Sequence, residues 1–157
     1  PNLILYVIIP VVLLWRSGFK LPSVFGVKNS TAALPFVALY LVAFVIIKGI
    51  SITSLLTLAF VLIWPAFGEE FFIREIIQRL FTRVIKNPIT AIVITSVLFS
   101  ISHIPIYFFG YSYSSVRLIS SLLPIMLTSF FWGYGYHKTG VLWPWILIHA
   151  LSDLVGF

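Results

Sequence analysis

Long apolar runs broken by short polar clusters set the pattern of this chain. Residues 3–15 are apolar without interruption, and Arg16, Lys20 and Lys28 then fall in a stretch containing Gly, Pro and Ser. Residues 31–47 carry no charge, Lys48-Gly49 punctuates, and residues 50–68 are again free of charge. Residues 87–116 hold no formal charge and a single histidine, and residues 118–136 and 139–152 are equally clean. A membrane helix takes about 20 apolar residues at roughly 1.5 Å each. The runs therefore predict six helices, near 2–15, 31–47, 50–68, 88–104, 118–136 and 141–156. A membrane barrel would alternate apolar and polar positions, and these runs are continuous. The predicted fold is all-α, a polytopic membrane helix bundle of about six transmembrane helices. Residues 1–157 read as a single integral-membrane domain.

Residues 69–86 differ from the rest. Ile73, Ile76, Ile77, Leu80, Phe81 and Val84 follow the spacing of an amphipathic helix, with Glu75, Gln78, Arg79, Thr82, Arg83 and Lys86 on the other side. On an ideal wheel Glu69 falls beside Ile76 and Leu80, so it is expected to project from the apolar face toward protein. Asn87-Pro88 then closes this helix and opens the next, with Asn as N-cap and Pro in the first turn. Glu69 lies 18 residues before Asn87 and His103 lies 16 after it. In an antiparallel hairpin both sit roughly 24–27 Å from the turn, so a carboxylate and an imidazole can meet there. His149 is placed at mid-membrane depth in the last helix, with Asp153 four residues on and on the same face.

Composition sharpens this picture. The chain is 61% hydrophobic and 9% charged, with four acids against ten Lys and Arg. Soluble domains run near ~45–50% apolar and ~25% charged. So few charges cannot wet a globular surface, which excludes an ordinary cytosolic enzyme, a disordered region and a nucleic-acid module. The net charge of +6 is read as loops on the inner side of a membrane. Eight of the ten basic residues fall on one side of six alternating spans, with Lys48 and Arg117 on the other. There is no cysteine, so a disulfide framework, a thiolate zinc site and a Cys nucleophile are excluded. The chain begins at Pro1 and stops just past a polar pair in an apolar helix, so a core cut from a longer protein is expected.

The ionisable groups placed inside the membrane are Glu69, Glu70, Arg74, His103, His149 and Asp153. Such groups are costly in a bilayer unless paired or lining a wet cavity, which makes them functional candidates. Glu70 and Arg74 have the spacing of a helical ion pair and read as structural. Tyr107, Tyr111 and Tyr113 read as an interfacial belt or loop, and His137 as solvated. A buried Glu can act as general base on a water, one His can share that proton, and a second can stabilise an oxyanion. Ser102 and Ser152 stand beside His103 and Asp153, but neighbours on a helix point about 100° apart. With no G-x-S-x-G elbow either, a serine mechanism is disfavoured.

Three motifs carry a resemblance. Glu69-Glu70-Phe71-Phe72-Ile73-Arg74 matches E-E-x-x-x-R, Phe99-Ser100-Ile101-Ser102-His103 matches F-x-x-x-H, and His149-Ala150-Leu151-Ser152-Asp153 matches H-x-x-x-N/D. In order and spacing they resemble the CAAX protease and bacteriocin-processing (CPBP, or Abi) family of intramembrane proteases, which includes the type II CAAX prenyl endopeptidases. The resemblance covers about residues 60–157, and it allows a truncated core of an eight-helix fold. It implies that Glu69 and His103 activate water and that His149 and Asp153 form the oxyanion site. It assigns Glu70, Arg74 and Phe99 supporting roles. Asp153 stands where prenyl proteases of the family usually have Asn. An ionised Asp cannot donate to an oxyanion, so Asp153 must stay protonated or orient His149. The implied substrate is a peptide or lipidated protein end, of CAAX or bacteriocin type, in a prokaryotic plasma membrane.

No cofactor is expected, with zinc held by Glu69, His103, His149 and Asp153 as the alternative. A non-catalytic immunity or scaffold protein of the same fold is the other function class. Residues 50–86 leave two readings open. One is a long helix continuing past Glu69. The other is a break near Pro65 or Gly68, with residues 69–86 as a separate element.

Overall fold

The computed structural model describes residues 30–156 together with Ile8 and Val12. The helix predicted near 2–15 and the basic stretch after it otherwise lie outside the described residues. Five helices follow, and no strand occurs among the described residues. A 3₁₀ turn, Ser30–Ala33, leads into α1, Leu34–Lys48, whose end is closed by Gly49 at φ 69°. Ser51 caps α2, its Oγ accepting the Ser54 N–H at 3.0 Å.

Helix α2 runs unbroken from Ile52 to Ile85, 34 residues. At ~1.5 Å per residue it is roughly 51 Å long, against a hydrocarbon core of ~30 Å. The long-helix reading of residues 50–86 is therefore the one the structure adopts, and Glu69 lies midway along the rod. Pro65 is absorbed rather than breaking the helix. A proline removes one N–H and crowds the carbonyl four residues back. The turn Leu62–Ala66 widens to π geometry around it, and the Phe67 N–H reaches Leu62 O. A second π stretch, Phe71–Gln78, follows the single α-turn Phe67–Glu70.

These wide turns correct the predicted wheel. A π turn uses more residues per revolution, so each residue advances less than the ~100° of an α-helix. Residues four apart then stay on one face, and Glu70, Arg74 and Gln78 form one buried stripe with Glu75 beside them. Leu80 and Val84, expected on the protein-facing side, are instead 51% and 70% exposed. Glu75, expected on the outer polar face, is buried. The reason is the solvent. In lipid the outward face is the apolar one, and polar side chains turn inward to find partners.

Lys86 closes α2 in the left-handed region at φ 59°, donating its N–H to Thr82 O. Asn87 Oδ1 then accepts the Thr90 N–H at 3.1 Å, and Pro88 opens α3, Pro88–Gly110. The predicted cap is present. Asn87→Ala is expected to lower stability by about 1 kcal/mol, read as a reduced thermal midpoint in detergent with no change in helix content.

Helix α4, Ser115–Thr139, packs along α3 and ends at Gly140, φ 65°. Helix α5, Trp143–Val155, has 13 residues and packs against α1 and the middle of α2. It is buried almost all round, at the centre of a core that includes Phe71, Trp132, Leu142, Trp145 and Ile148. Gly135 permits this packing, because a Cβ there would collide with the Trp145 indole. Ile46, Ile52 and Val116 point outward, each close to 80% exposed. Four of the five helices, all but α5, are long and apolar enough to cross a membrane. With so apolar an exterior, and with Glu70, Arg74, Glu75 and His149 buried inside, the protein is an integral membrane helix bundle.

Candidate active site

The α-turn carrying Glu69 and Glu70 sits between the two π stretches of α2. Such widened turns re-aim side chains and recur at functional sites. Glu70 and Arg74 are both fully buried, with Arg74 Nε 2.8 Å from Glu70 Oε2. The same guanidinium donates to Ser129 Oγ at 3.0 Å and to Gln78 Oε1 at 3.5 Å. Gln78 Nε2 donates in turn to Gly133 O at 2.9 Å. Gly133 has to be small here, because a Cβ would lie 2.8 Å from Gln78 Oε1 and 3.0 Å from the guanidinium.

The other oxygen of Glu70 holds His149. Oε1 lies 3.1 Å from Nδ1. A carboxylate already engaged by arginine accepts only, so Nδ1 carries the hydrogen and donates it. That leaves Nε2 aimed at two further carboxylates, Asp153 Oδ1 at 3.6 Å and Glu69 Oε2 at 3.9 Å. Glu69 and Asp153 are the more open members of the cluster, with side chains 22% and 41% exposed. Trp132 lies over the other face of the arrangement, its ring 4.7 Å from the imidazole at an interplanar angle of 29°. The Trp132 indole N–H is buried and has no hydrogen-bond partner among the described residues.

His103 ends the regular part of α3, and its Nδ1 lies 2.8 Å from Phe99 O. A backbone carbonyl only accepts, so Nδ1 again carries the hydrogen, and Nε2 is left as the basic nitrogen. Phe99 wedges the site together. Its ring meets His103 edge-on at 4.8 Å and His149 at 6.1 Å, and the Arg74 guanidinium lies 6.0 Å from its centroid. Ser102 Oγ donates to Phe99 O at 2.7 Å.

Glu69 and His103 line one cavity of about 310 Å³, with Phe72, Ile73, Phe99, Ser102, Pro105 and Ile106. The two helices thus bring to one level the groups counted from Asn87-Pro88. Tyr107, read from sequence as part of a belt, lies beside this region with its ring 6.1 Å from His103 and stacked on Tyr113 at 5.2 Å. No three His, Asp or Glu side chains are grouped as metal ligands among the described residues.

The sequence reading missed the contribution of α4. Ser129, Trp132, Gly133 and Tyr136 follow helical spacing on one face and supply the wall behind Arg74 and His149. Tyr136 OH donates to Glu75 Oε1 at 2.6 Å, and Arg79 Nη1 to Glu75 Oε2 at 2.8 Å. The signal was a small-polar-aromatic stripe within residues 118–136, a stretch judged only by its lack of charge.

A carboxylate–imidazole cluster built inside a membrane bundle, beside a cavity, defines the class: an intramembrane protein with groups fit for acid–base chemistry. Residues 50–155 match the family described as Rce1-like, type II CAAX prenyl endopeptidase. The match spans most of the chain and includes all three motifs. The chain belongs to this family of CAAX-type intramembrane endopeptidases. No curated protein and no solved structure matches the chain.

Proposed function

We propose that the protein hydrolyses a peptide bond near the end of a membrane-associated substrate, using a water activated by Glu69 with His103. The observation that carries this reading is the shared cavity. Glu69 and His103 both line it, while His149 Nε2 lies 3.9 Å from the Glu69 carboxylate. Glu69 takes a proton as the water oxygen attacks the scissile carbonyl carbon. His103 Nε2 accepts a hydrogen bond from that water or shares its proton. The carbonyl oxygen becomes an oxyanion, and protonated His149 donates to it through Nε2. Collapse expels the amine, which takes the proton held by Glu69 and His103.

Glu70 and Arg74 position His149 and do not touch the substrate. Asp153 lies on the Nε2 side of His149, which supports an orienting role for its carboxylate. Asp153→Asn keeps the shape of that side chain and can donate to an oxyanion. It is expected to retain cleavage within about tenfold, whereas Asp153→Ala loses more than Asp153→Asn. Equal loss in both variants would sink the role given to this position. Membership of the family favours a CAAX-type, prenylated or otherwise lipidated protein end as substrate, and a bacteriocin-type peptide is the other candidate.

Reconstituted protein incubated with a farnesylated CAAX peptide and with its unprenylated counterpart tests the activity by release of the C-terminal tripeptide. Metal analysis and exhaustive chelation test the route. Activity that survives chelation supports Glu69 as base. Near-stoichiometric zinc, with activity lost on chelation and restored by zinc alone, recasts Glu69, His103 and His149 as ligands.

A further inference from the structure

The facing ends of α3 and α4 carry a ladder of rings that the chemistry above does not use. It starts at the cavity shared by Glu69 and His103, whose lining includes Pro105 and Ile106. The Tyr107 ring lies 6.1 Å from the His103 imidazole and stacks on Tyr113 at 5.2 Å, with an interplanar angle of 11°. Arg117 ends the ladder, its guanidinium carbon 4.2 Å from the centre of the Tyr113 ring.

The connection over residues 111–114 is folded back onto α3. The Tyr113 N–H donates to Tyr107 O and the Tyr111 N–H to Ile106 O, each at 3.0 Å. Ser112 takes the left-handed region at φ 52°, a conformation that costs a residue with a Cβ and persists only where its surroundings hold it. Ser114 then caps α4, its Oγ accepting the Arg117 N–H at 3.4 Å, which sets Arg117 in the first turn. The ladder is therefore built into the backbone.

Arg117 has no carboxylate of the protein to pair with. The chain has four acids. Glu70 is engaged by Arg74 and His149, Glu75 by Arg79 and Tyr136, and Glu69 and Asp153 face His149 Nε2. Arg117 is exposed, and Tyr113 covers one face of its guanidinium. The N–H donors lie in the guanidinium plane, so a ring on the face leaves the edge open. That edge offers parallel donors with the spacing of a carboxylate. The acids at the inner end and the cation at the outer end also give the ladder a direction. A peptide along it keeps a terminal carboxylate away from Glu69 and Asp153. Three extended residues span about 10 Å, a length the three steps of the ladder can cover.

We infer that Arg117, held by Tyr113, binds the free C-terminal carboxylate of the substrate, with the last side chains of the peptide against Tyr107 and Tyr113. The inference rests on the reading above, in which the cleaved bond lies near the end of a peptide.

The test compares the farnesylated CAAX peptide with the same peptide amidated at its C-terminus, using protein in phosphatidylcholine vesicles. Wild type is expected to cleave the acid with a kcat/KM about tenfold above that of the amide, the size of one charge-assisted hydrogen bond. This comparison needs no variant to fold. Arg117→Gln is expected to lose the preference, its rate on the acid falling to that on the amide. Tyr113→Phe keeps the face under the guanidinium and should keep the preference, whereas Tyr113→Leu should weaken it. Lys48→Gln, which removes another exposed cation, should behave as wild type. Fluorescence anisotropy with labelled peptides on Glu69→Gln protein reads the same preference without turnover, and adding Arg117→Gln should abolish it. Binding of the acid that depends on Arg117, with neither peptide cleaved by wild type, supports the inference and sinks the hydrolytic reading. Equal handling of acid and amide by wild type, a fall of the same size on both peptides in Arg117→Gln, or no binding of either peptide overturns the inference.

Discussion

Glu69→Gln is expected to lower the cleavage rate by about 100- to 10,000-fold while leaving membrane expression and thermal midpoint nearly unchanged. The substitution keeps volume and hydrogen-bonding capacity but removes the base, and general acid–base catalysis is typically worth that range. Glu69 carries far less structural load than the fully buried Glu70. Its side chain is 22% exposed, and its contact with His149 is 3.9 Å rather than a close pair. His103→Ala should fall in the same range, since the imidazole shares the cavity and its Nε2 is the basic nitrogen. Rates are to be measured on the released tripeptide, with folding checked by size-exclusion chromatography. A Glu69→Gln protein that still cleaves at the wild-type rate would remove Glu69 from the chemistry altogether.

Arg74→Ala should act on folding instead. Arg74 is fully buried and touches Glu70, Gln78 and Ser129 at once. Removing it strands the Glu70 carboxylate in the bundle interior, and breaking a buried pair in this way costs about 3–5 kcal/mol. That is a large part of the ~5–15 kcal/mol by which a typical domain is stable. Folded yield from membranes should collapse, and any protein recovered should have a much lower thermal midpoint. Arg74→Lys keeps the charge but loses the fork that spans three partners, so it should fall between the two. Normal yield and midpoint for Arg74→Ala, with all activity gone, would move Arg74 from the scaffold into the reaction itself.

Much of the architecture was legible in the residue order. Continuous apolar runs fixed the helical class, because a chain in lipid must satisfy its backbone hydrogen bonds within each segment. Asn87-Pro88 marked a helix start that the structure reproduces with an Asn87 side-chain cap. Counting outward from that turn put Glu69 and His103 at one level, and they line one cavity. Rare acids in an apolar chain pointed to the cluster, because placing charge in a bilayer is costly.

The phase of α2 was not legible. An ideal wheel assumes about 100° per residue, and two π stretches change that increment where the motif lies. Hydrophobic periodicity also carries no sign. The same pattern describes a helix with its apolar face toward a core in water or toward lipid in a membrane. Glu75, Leu80 and Val84 were accordingly assigned to the wrong sides.

The sequence by itself determined the membrane class, the helix boundary at Asn87-Pro88 and the identity of the ionisable groups, whereas the reach of α2 to Ile85 was left open between two readings. These are local properties, set by hydropathy, by capping chemistry and by the scarcity of charge. Only the tertiary structure decided which of those groups meet. His149 touches Glu70 across 79 positions of chain, and Arg74 reaches Ser129 across 55. Such partners depend on how α2, α4 and α5 pack and on the π turns that rotate one stripe of α2 toward the others. Pro65 marks the first of those turns locally, but which faces meet is settled only in the packed bundle, where Gly133 allows the Arg74 and Gln78 side chains to approach α4 closely and the inward-facing polar groups satisfy one another.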